Sequence, residues 1–294
     1  MSVTVDSRTM AVEDMRLGDH AFAHYADDDI RWEVLSAFTQ TGIANDEKVI
    51  ALADPAVAHS EVLERLSTWS PTTEQAWARA QLEITSMRAL IHPDRCFTAR
   101  RQIDRLREET VRARQEGYAG LRSVIDMAWV QDLRMDIEGV MHRETHADAL
   151  FADHHYAEIC TYDRRRFDPD VLEAMRVGHP VVLLERPGDL AAYRSVNGLR
   201  VIGDADTATA ASFEAALRDA LADAGTADRL LLDLTRLSFL SVTCARTVLQ
   251  LIANAQGCTS VEVLCSPFHA LLLDGMGASA LANLVLLDPV EPSQ

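Results

Sequence analysis

Short apolar runs alternate with amphipathic stretches through the first two-thirds of the chain. Four apolar runs are long enough for buried strands: residues 48–53, 81–84, 121–126 and 157–161. The intervening stretches carry apolar residues at three-to-four-residue spacing or are long and charged, and they predict helices at residues 30–38, 57–66, 98–115 and 137–151. Because this alternation is typical of a mainly parallel sheet with helices on its faces, we expect an α/β domain.

The last third of the chain repeats this alternation on a smaller scale. Its centre is an apolar run that ends at Asp233, followed by apolar residues at helical spacing up to Ile252, which together predict a strand, a loop and a helix. Other elements are predicted on either side: a strand up to residue 202, helices at 211–224 and 268–276, and strands at 261–265 and 284–287. We therefore expect a second, smaller α/β domain.

A Pro- and Gly-containing polar stretch at residues 178–198 interrupts the alternation, as domain boundaries do. The expected organisation is an N-terminal arm, a large domain, a linker, a small domain and a tail, at residues 1–15, 16–187, 188–197, 198–290 and 291–294.

Composition and charge restrict the partners. The chain has 294 residues, of which 48% are hydrophobic, and 45 acidic residues against 28 basic ones give a net charge of −17. Without a basic patch, this charge repels nucleic-acid phosphates and anionic lipids, so neither is an expected partner. An apolar leader is missing, as is any apolar run of membrane-spanning length, so we expect a cytoplasmic protein. The five cysteines lack C-x-x-C spacing and are expected to be reduced core residues.

Catalytic and metal-binding motifs are weak. The chain contains no G-x-x-x-x-G-K-[ST] phosphate loop, no nucleophile elbow and no evident carboxylate pair, so enzyme activity is not expected. His142 and His146 are four residues apart on one predicted helix, a spacing at which two imidazoles can share a metal ion. A solvated polar helix face is the favoured interpretation, and neither a metal site nor a cofactor is predicted.

Five motifs occur in order along the large domain: Gly18-Asp19-His20 with Tyr25, Gly120-Leu121-Arg122 through Asp126-Met127-Ala128-Trp129, Glu144, Ile159 to Arg165, and His179-Pro180-Val181. Together they resemble MEDS, the sensory domain named from methanogens, methylotrophs and a dichloromethane-responsive regulator, over residues 15–187. The resemblance implies a RecA-like sheet whose phosphate loop is degenerate. It also implies a sensory role.

Ligands of open α/β sheets bind beyond the carboxyl ends of the strands, and several motif residues follow predicted strands. We expect a pocket for an unidentified small molecule, lined by His20, Tyr25, Asp126, Trp129, Glu144, Cys160, Tyr162, Asp163, Arg164 and His179. Structural roles are the alternatives: a buried Asp163–Arg164 ion pair, core packing for Trp129 and a helix cap for His20.

The centre of the small domain carries a second set of motifs. Asp233-Leu234 is followed by Phe239-Leu240 and then by Ser241-Val242-Thr243-Cys244, where the predicted helix begins. From position alone, Ser241 and Thr243 are N-cap candidates. With the strands near residues 199–206, 261–265 and 284–287, the pattern resembles STAS domains, the anti-sigma-factor-antagonist fold, over residues 195–290.

The STAS resemblance implies a phospho-acceptor at Thr243, with Ser241 as the second choice. It also implies a partner-binding surface formed by Ser241, Val242, Thr243, Cys244 and Arg246. The leading hypothesis is a cytoplasmic signalling regulator whose sensory domain controls binding to an anti-sigma factor or anti-sigma kinase. The alternatives are an unphosphorylated, homo-oligomeric scaffold subunit of a stress-signalling assembly and a degenerate nucleotide-binding protein.

Overall fold

The computed structural model describes residues 8–68, 70–91, 97–135, 137–145, 147–195, 198–224, 229–255 and 260–288. The chain divides after Pro187 into two compact units, each of which is described separately.

The first unit is built on a seven-stranded sheet in which every neighbouring pair of strands is parallel. Its strands are β1 (Arg8–Met10), β2 (His20–Tyr25), β3 (Lys48–Leu52), β4 (Leu82–Thr85), β5 (Leu121–Asp126), β6 (Tyr156–Asp163) and β7 (Val181–Leu183). They lie in the order β1-β7-β2-β6-β5-β3-β4. All residues of β3, β5 and β6 are buried because helices cover both faces of the sheet, which explains their continuous apolar runs. The predicted mainly parallel α/β sheet is confirmed.

Nine helices accompany the described part of this sheet: α1 (Asp28–Ala44), α2 (His59–Ser67), α3 (Pro71–Ala78), α4 (Met87–Leu90), α5 (Ala99–Gln115), α6 (Trp129–Asp132), α7 (Ile137–Thr145), α8 (Asp148–Phe151) and α9 (Pro169–Gly178). Helices α1–α3 pack on one face of the sheet, around Phe38. The other face carries α4–α9, around Leu106 and Val140. The helix predicted over residues 137–151 is instead the two short helices α7 and α8.

The predicted N-terminal arm is wrong for residues 8–15. Strand β1 pairs with β7 at the edge of the sheet, and a 3₁₀ turn at Val12–Asp14 follows it. Met10, Val12 and Met15 are at most 2% exposed. These apolar side chains fill the core, so the segment belongs to the fold. Residues 1–7 lie outside the described part of the chain.

The second unit contains a five-stranded sheet: β8 (Leu190–Ser195), β9 (Gly198–Ala205), β10 (Leu230–Leu240), β11 (Val261–Leu264) and β12 (Leu284–Leu287). The order is β12-β11-β10-β9-β8, and only β8 runs antiparallel to its neighbour. Three helices, α10 (Ala210–Ala224), α11 (Val242–Asn254) and α12 (Pro267–Gly275), pack against the sheet. A small mixed α/β unit is therefore present.

Two predictions for the second unit are wrong. The predicted linker at residues 188–197 contains β8, which pairs with β9 along six residue pairs. The loop predicted after Asp233 is a continuation of β10, which reaches Leu240 through register shifts after Asp233 and Leu237. The shifts keep Leu234, Leu237 and Leu240 buried while the strand stays paired with β9. The predicted tail lies outside the described residues.

Candidate functional site

A polar cluster is buried beneath one face of the first unit's sheet. Side chains alternate along a strand, so Tyr156, Glu158, Cys160 and Tyr162 of β6 project to the same side. Each of the four is at most 1% exposed. A charged carboxylate in the central strand of a buried sheet requires partners, because an unpaired buried charge is strongly unfavourable.

The partners come from three other segments. His20 begins β2 and lies beside Glu158 in the strand register. Arg143 and Glu144 project inward from α7, and His179 follows α9 at the start of the connection to β7. All four side chains are at most 2% exposed. The cluster therefore joins chain segments that are far apart in sequence.

Four potential metal ligands converge in the cluster, with donor atoms that all lie within 4.8 Å of one another: His20, Glu144, Cys160 and His179. Glu144 Oε2 lies 3.1 Å from His20 Nε2 and 3.3 Å from His179 Nε2. Cys160 Sγ lies 3.9 Å from both His20 Nε2 and Glu144 Oε2. Two imidazoles, a carboxylate and a thiol are all ligands that divalent transition metals accept.

Arg143 and Glu158 form the outer part of the cluster. The Arg143 guanidinium donates to both Glu158 carboxylate oxygens at 2.6 and 2.7 Å and to Glu144 Oε2 at 2.9 Å. Glu158 also accepts hydrogen bonds from the Tyr156 hydroxyl and, at 3.1 Å, from the Cys160 thiol. Bidentate pairing of this kind offsets part of the cost of burying two carboxylates.

The environment separates the protonation behaviour of the two histidines. Burial lowers the pKa of His20, but the hydrogen bonds with Glu144 and Glu158 outweigh it, so the pKa of His20 lies above its usual 6.5. Burial and the nearby His20 lower the pKa of His179 to about 4. The Arg143 charge outweighs the effect of burial on Glu144 and lowers the pKa of that carboxyl to about 2. At neutral pH, His179 is therefore neutral and Glu144 is ionised, whereas His20 keeps its proton to higher pH than an ordinary histidine.

Cys160 is a thiol rather than a thiolate in this setting. Burial raises its pKa well above 9.0, and the charges of Glu144 and Glu158 raise it further. Cys160 therefore lacks the electropositive, partly exposed surroundings of a reactive cysteine.

A second polar group lies where the strands of the same sheet end. Arg31 of α1 donates to the Tyr25 hydroxyl at 3.0 Å and to Asp126 at 3.3 Å, so it links the ends of β2 and β5. Burial raises the pKa of both Tyr25 and Asp126. Cavities of about 20 and 10 Å³ flank Arg31, each with room for about one water molecule.

The structure thus replaces the single predicted pocket by two separate groups. His20, Glu144, Cys160 and His179 belong to the buried cluster, with Tyr162 beside it, whereas Tyr25 and Asp126 lie at the strand ends. Trp129 is 2% exposed and stacks against Phe97, so it takes the alternative role of core packing.

Two of the structural alternatives are wrong. Asp163 pairs with Arg165 instead of Arg164, which reaches Glu185 on the surface. His20 is the first residue of a strand, so it is not a helix cap.

Sequence reasoning did not identify Arg31, Arg143, Tyr156 or Glu158. For Tyr156 and Glu158 a signal exists, since they continue the every-second-residue series Cys160 and Tyr162 on one face of β6. Arg31 and Arg143 lie on helices with many other charged residues, and only helix docking distinguishes them.

The i,i+4 histidine pair does not form the metal-ligand cluster. His142 is exposed on α7, and His146 lies outside the described residues. The helix α1, which follows β2, begins with Asp27, Asp28 and Asp29, and Asp27 caps it. Carboxylates at a helix N-terminus oppose phosphate binding, consistent with the missing phosphate loop.

In the second unit, the beginning of α11 is the predicted functional surface. Ser241 is the N-cap, and its Oγ accepts a hydrogen bond from the Cys244 backbone N–H at 3.2 Å. Thr243 and Arg246 are exposed, Val242 is 54% exposed, and Cys244 is buried. The predicted N-cap role of Ser241 is confirmed, and the Thr243 side chain is open to solvent.

Among the described helices, none combines the length and the apolar character that a bilayer requires.

Comparison with known proteins places the first unit in a family. The model of the MEDS family, the methanogen/methylotroph, DcmR sensory domain, matches residues 19–180. No curated protein matches the chain. Among solved structures, the flagellar accessory protein FlaH from Methanocaldococcus jannaschii is similar, with 10% identity and a TM-score of 0.40 over 64% of this chain and 80% of that one. Because the family match spans more than half of the 294 residues, the chain belongs to the MEDS family of sensory domains.

Proposed function

We propose that this protein is a cytoplasmic signalling regulator in which the MEDS sensory unit controls a C-terminal partner-binding unit of the anti-sigma-factor-antagonist, or STAS, type. The observation that carries the proposal is the exposed Thr243 hydroxyl in the first turn of α11, directly after the central strand β10. Its partner is an anti-sigma factor or an anti-sigma kinase, and phosphorylation of Thr243 releases it.

A phosphate on Thr243 is compatible with the fold because it lies at the positive end of the α11 dipole, where negative charge is tolerated. The same phosphate presents close to two negative charges to a docked partner, which opposes binding through desolvation and repulsion. Ser241 cannot be modified as easily, because its Oγ already caps the helix. Thr243 is therefore the better acceptor.

The surroundings of Thr243 suit a protein partner. Strands β10 and β11 are parallel neighbours, so α11 and α12, which follow them, begin at the same edge of the sheet. Exposed apolar side chains accompany both helix starts: Phe239 and Val242 before and within α11, and Phe268 and Leu271 in α12 are 51–73% exposed. Apolar exposure beside a charged Arg246 is typical of a binding surface.

Control by the sensory unit requires that its ligand bind differently to two states of the protein, since equal affinity shifts no equilibrium. We therefore expect the affinity of the C-terminal unit for its partner to change when the sensory unit is occupied.

A scaffold function is the second candidate. In the STAS motif, an Asp, a Ser and a Gly stand where this chain has Ser241, Val242 and Cys244. Cys244 is buried, with its Sγ 3.5 Å from the Asp206 carbonyl oxygen. These differences favour a version in which the apolar surface mediates self-assembly within a stress-signalling complex without phosphorylation.

The test is binding of the full-length protein to purified anti-sigma factors and anti-sigma kinases of the same organism, measured by biolayer interferometry. Wild type and Thr243→Ala are expected to bind one of them, and Thr243→Glu is expected to bind at least about tenfold more weakly, which corresponds to about 1.4 kcal/mol.

Gln250→Glu is the matched control, because it adds the same charge to the exposed face of α11 two turns further along. It should bind like wild type. Binding by no variant, together with concentration-dependent oligomers in light scattering, would favour the scaffold. Equal binding by all variants would contradict the proposal that phosphorylation of Thr243 releases the partner.

A further inference from the structure

We infer that His20, Glu144, Cys160 and His179 bind a divalent zinc-class metal ion inside the MEDS unit. The inference goes beyond the proposed function, since it concerns only the first unit and does not depend on what the second unit binds. Four donors of three chemical kinds converge there from four separate segments of the chain.

The spacing of the donor atoms, all within 4.8 Å of one another, is close to that of a tetrahedral metal site. Zinc bonds of about 2.0–2.3 Å place tetrahedral donor atoms roughly 3.3–3.8 Å apart. Glu144 Oε2 lies 3.1 and 3.3 Å from the two imidazole nitrogens, and Cys160 Sγ lies 3.9 Å from His20 Nε2 and from Glu144 Oε2. Small movements of these side chains therefore complete the coordination.

The position of His179 is the strongest indication of a cation site. Its Nδ1 lies 2.7 Å from the Met175 carbonyl oxygen, which can only accept, so Nδ1 carries a proton and Nε2 is the ring nitrogen that faces the cluster. That Nε2 is buried and has no hydrogen-bond partner among the described residues, yet it lies 3.3 Å from the Glu144 carboxylate. A metal ion between Nε2 and the carboxylate would give both atoms a partner.

The Nδ1 contact also has a form familiar from metal sites. A ligating histidine almost always donates its other ring N–H to a carbonyl or carboxylate, which fixes the ring orientation and tautomer. The Met175 carbonyl oxygen performs this role for His179, and it does so from the last turn of α9.

The cluster also supplies the negative charge that a divalent ion requires. Two buried carboxylates, Glu144 and Glu158, share a single guanidinium, that of Arg143. Thiolate and neutral imidazole are the metal-binding forms, so metal binding releases the Cys160 thiol proton and any proton on the ligating imidazole nitrogens.

The geometry indicates a closed site. Four protein donors fill a tetrahedral shell, whereas a catalytic zinc site keeps one position open for water. All four ligands are at most 2% exposed. The ion would therefore hold β2, β6, α7 and the α9–β7 connection together instead of activating a substrate.

The test uses chelator-treated full-length protein titrated with Co²⁺ as an optical probe, followed by Zn²⁺. Wild type is expected to bind one Co²⁺ per chain with a thiolate-to-cobalt charge-transfer band, and Zn²⁺ should displace it. Cys160→Ser should lose the band and bind Zn²⁺ at least about tenfold more weakly. Cys265→Ser, which alters a buried cysteine of the second unit, should keep both.

Absence of Co²⁺ binding by wild type, or an unchanged band in Cys160→Ser, would overturn the inference. If Cys160→Ser fails to fold, X-ray absorption spectroscopy of zinc-loaded wild type tests the site instead. We expect one sulfur ligand beside nitrogen and oxygen ligands. A coordination shell without sulfur would refute the site. None of these results depends on Thr243, so the partner-binding assay succeeds or fails independently.

Discussion

The two units bury different kinds of side chain on their central strands. Strand β6 of the first unit buries Glu158, Cys160 and two tyrosines on one face, where Arg143 and two histidines join them. Strand β10 of the second unit buries leucines, and Asp233 and His269 are the only buried polar residues described in that unit. A buried polar cluster costs desolvation energy that an apolar core does not. The candidate site of the first unit therefore lies inside it, whereas the candidate surface of the second unit is exposed to solvent.

This contrast can be measured within one chain. All four tryptophans, Trp32, Trp69, Trp77 and Trp129, belong to the first unit. Tryptophan fluorescence therefore follows unfolding of the first unit alone, while far-ultraviolet circular dichroism follows both.

The largest effect is expected from Arg143→Ala. This substitution leaves Glu144 and Glu158 as buried carboxylates without their main cation, so the free energy of unfolding of the first unit should fall by about 3–5 kcal/mol. Urea unfolding followed by tryptophan fluorescence measures this loss. Arg88→Ala is the control, because it breaks an exposed pair with Asp132 and should cost at most about 1 kcal/mol. Equal losses of unfolding free energy in the two variants would show that Arg143 does not stabilise the buried carboxylates.

The next effect is a pH dependence of the first unit, followed by tryptophan fluorescence in metal-free protein. The folded pKa of His179 is about 4 against an ordinary 6.5, so between these values the unfolded chain binds a proton that the folded chain does not. The free energy of unfolding should therefore fall as the pH drops from 6.5 to 4, by up to about 3 kcal/mol at 1.36 kcal/mol per unit of pKa.

Comparison of wild type with His179→Gln isolates this contribution. The slope between these pH values should be shallower in the variant. The raised pKa of His20 acts in a different range, because the stability it supplies is complete below 6.5 and is lost as the pH rises through its folded value. The low pKa of Glu144 matters below 4.5, where its contribution is lost toward pH 2. If stability changed with pH in the same way in wild type and His179→Gln, this pH dependence could not be assigned to His179.

A smaller effect is expected from Asp233→Asn in the second unit. Burial raises the pKa of Asp233, but hydrogen bonds from Thr235 and Arg200 outweigh it and the net shift is downward. Removal of the charge should cost about 1 kcal/mol at neutral pH. The loss should shrink as the pH falls below 3.8 and should disappear only below the lowered folded pKa, where folded wild type is protonated too. Circular dichroism should detect this change while tryptophan fluorescence stays unaffected. If the loss of stability persisted at low pH, the packing of the Asp233 side chain and not its charge would be the cause.

The smallest effect on stability is expected from Thr243→Glu. The side chain is exposed and lies in the first turn of α11, where a negative charge interacts favourably with the helix dipole. We expect a stabilisation of about 0.3–0.5 kcal/mol in circular dichroism unfolding curves, weaker at high salt. A destabilisation larger than about 1 kcal/mol would indicate that the α11 start carries structural contacts, and weaker partner binding could then reflect unfolding.

The sequence was sufficient for the elements with strong periodicity. Strand β5 was predicted at residues 121–126, where the structure has it, and α5 begins after the capping residue Thr98. Strands β1 and β8 were missed because they are edge strands with mixed polarity, and pairing with a neighbour decides whether such segments are extended. Strands β2 and β7 were not predicted either, although both pair inside the sheet.

The candidate site was only partly accessible from sequence. The family motifs named His20, Glu144, Cys160 and His179, but as members of one open pocket with residues at the strand ends. Their convergence depends on the register of β2 against β6 and on the rotation of α7, which no local pattern specifies. Glu158 shows this clearly, since the same register that places it opposite His20 makes it part of the cluster.

The scattered origin of the buried cluster has a consequence for folding kinetics. Its four donor residues span positions 20 to 179, so the cluster forms only after β2, α7, β6 and the end of α9 have docked. Contacts of such long sequence separation form slowly, and a ligand that binds only the docked state favours that state by mass action. An occupied cluster would therefore slow unfolding of the whole sensory unit, and a nascent chain would acquire it only after His179 has been synthesised.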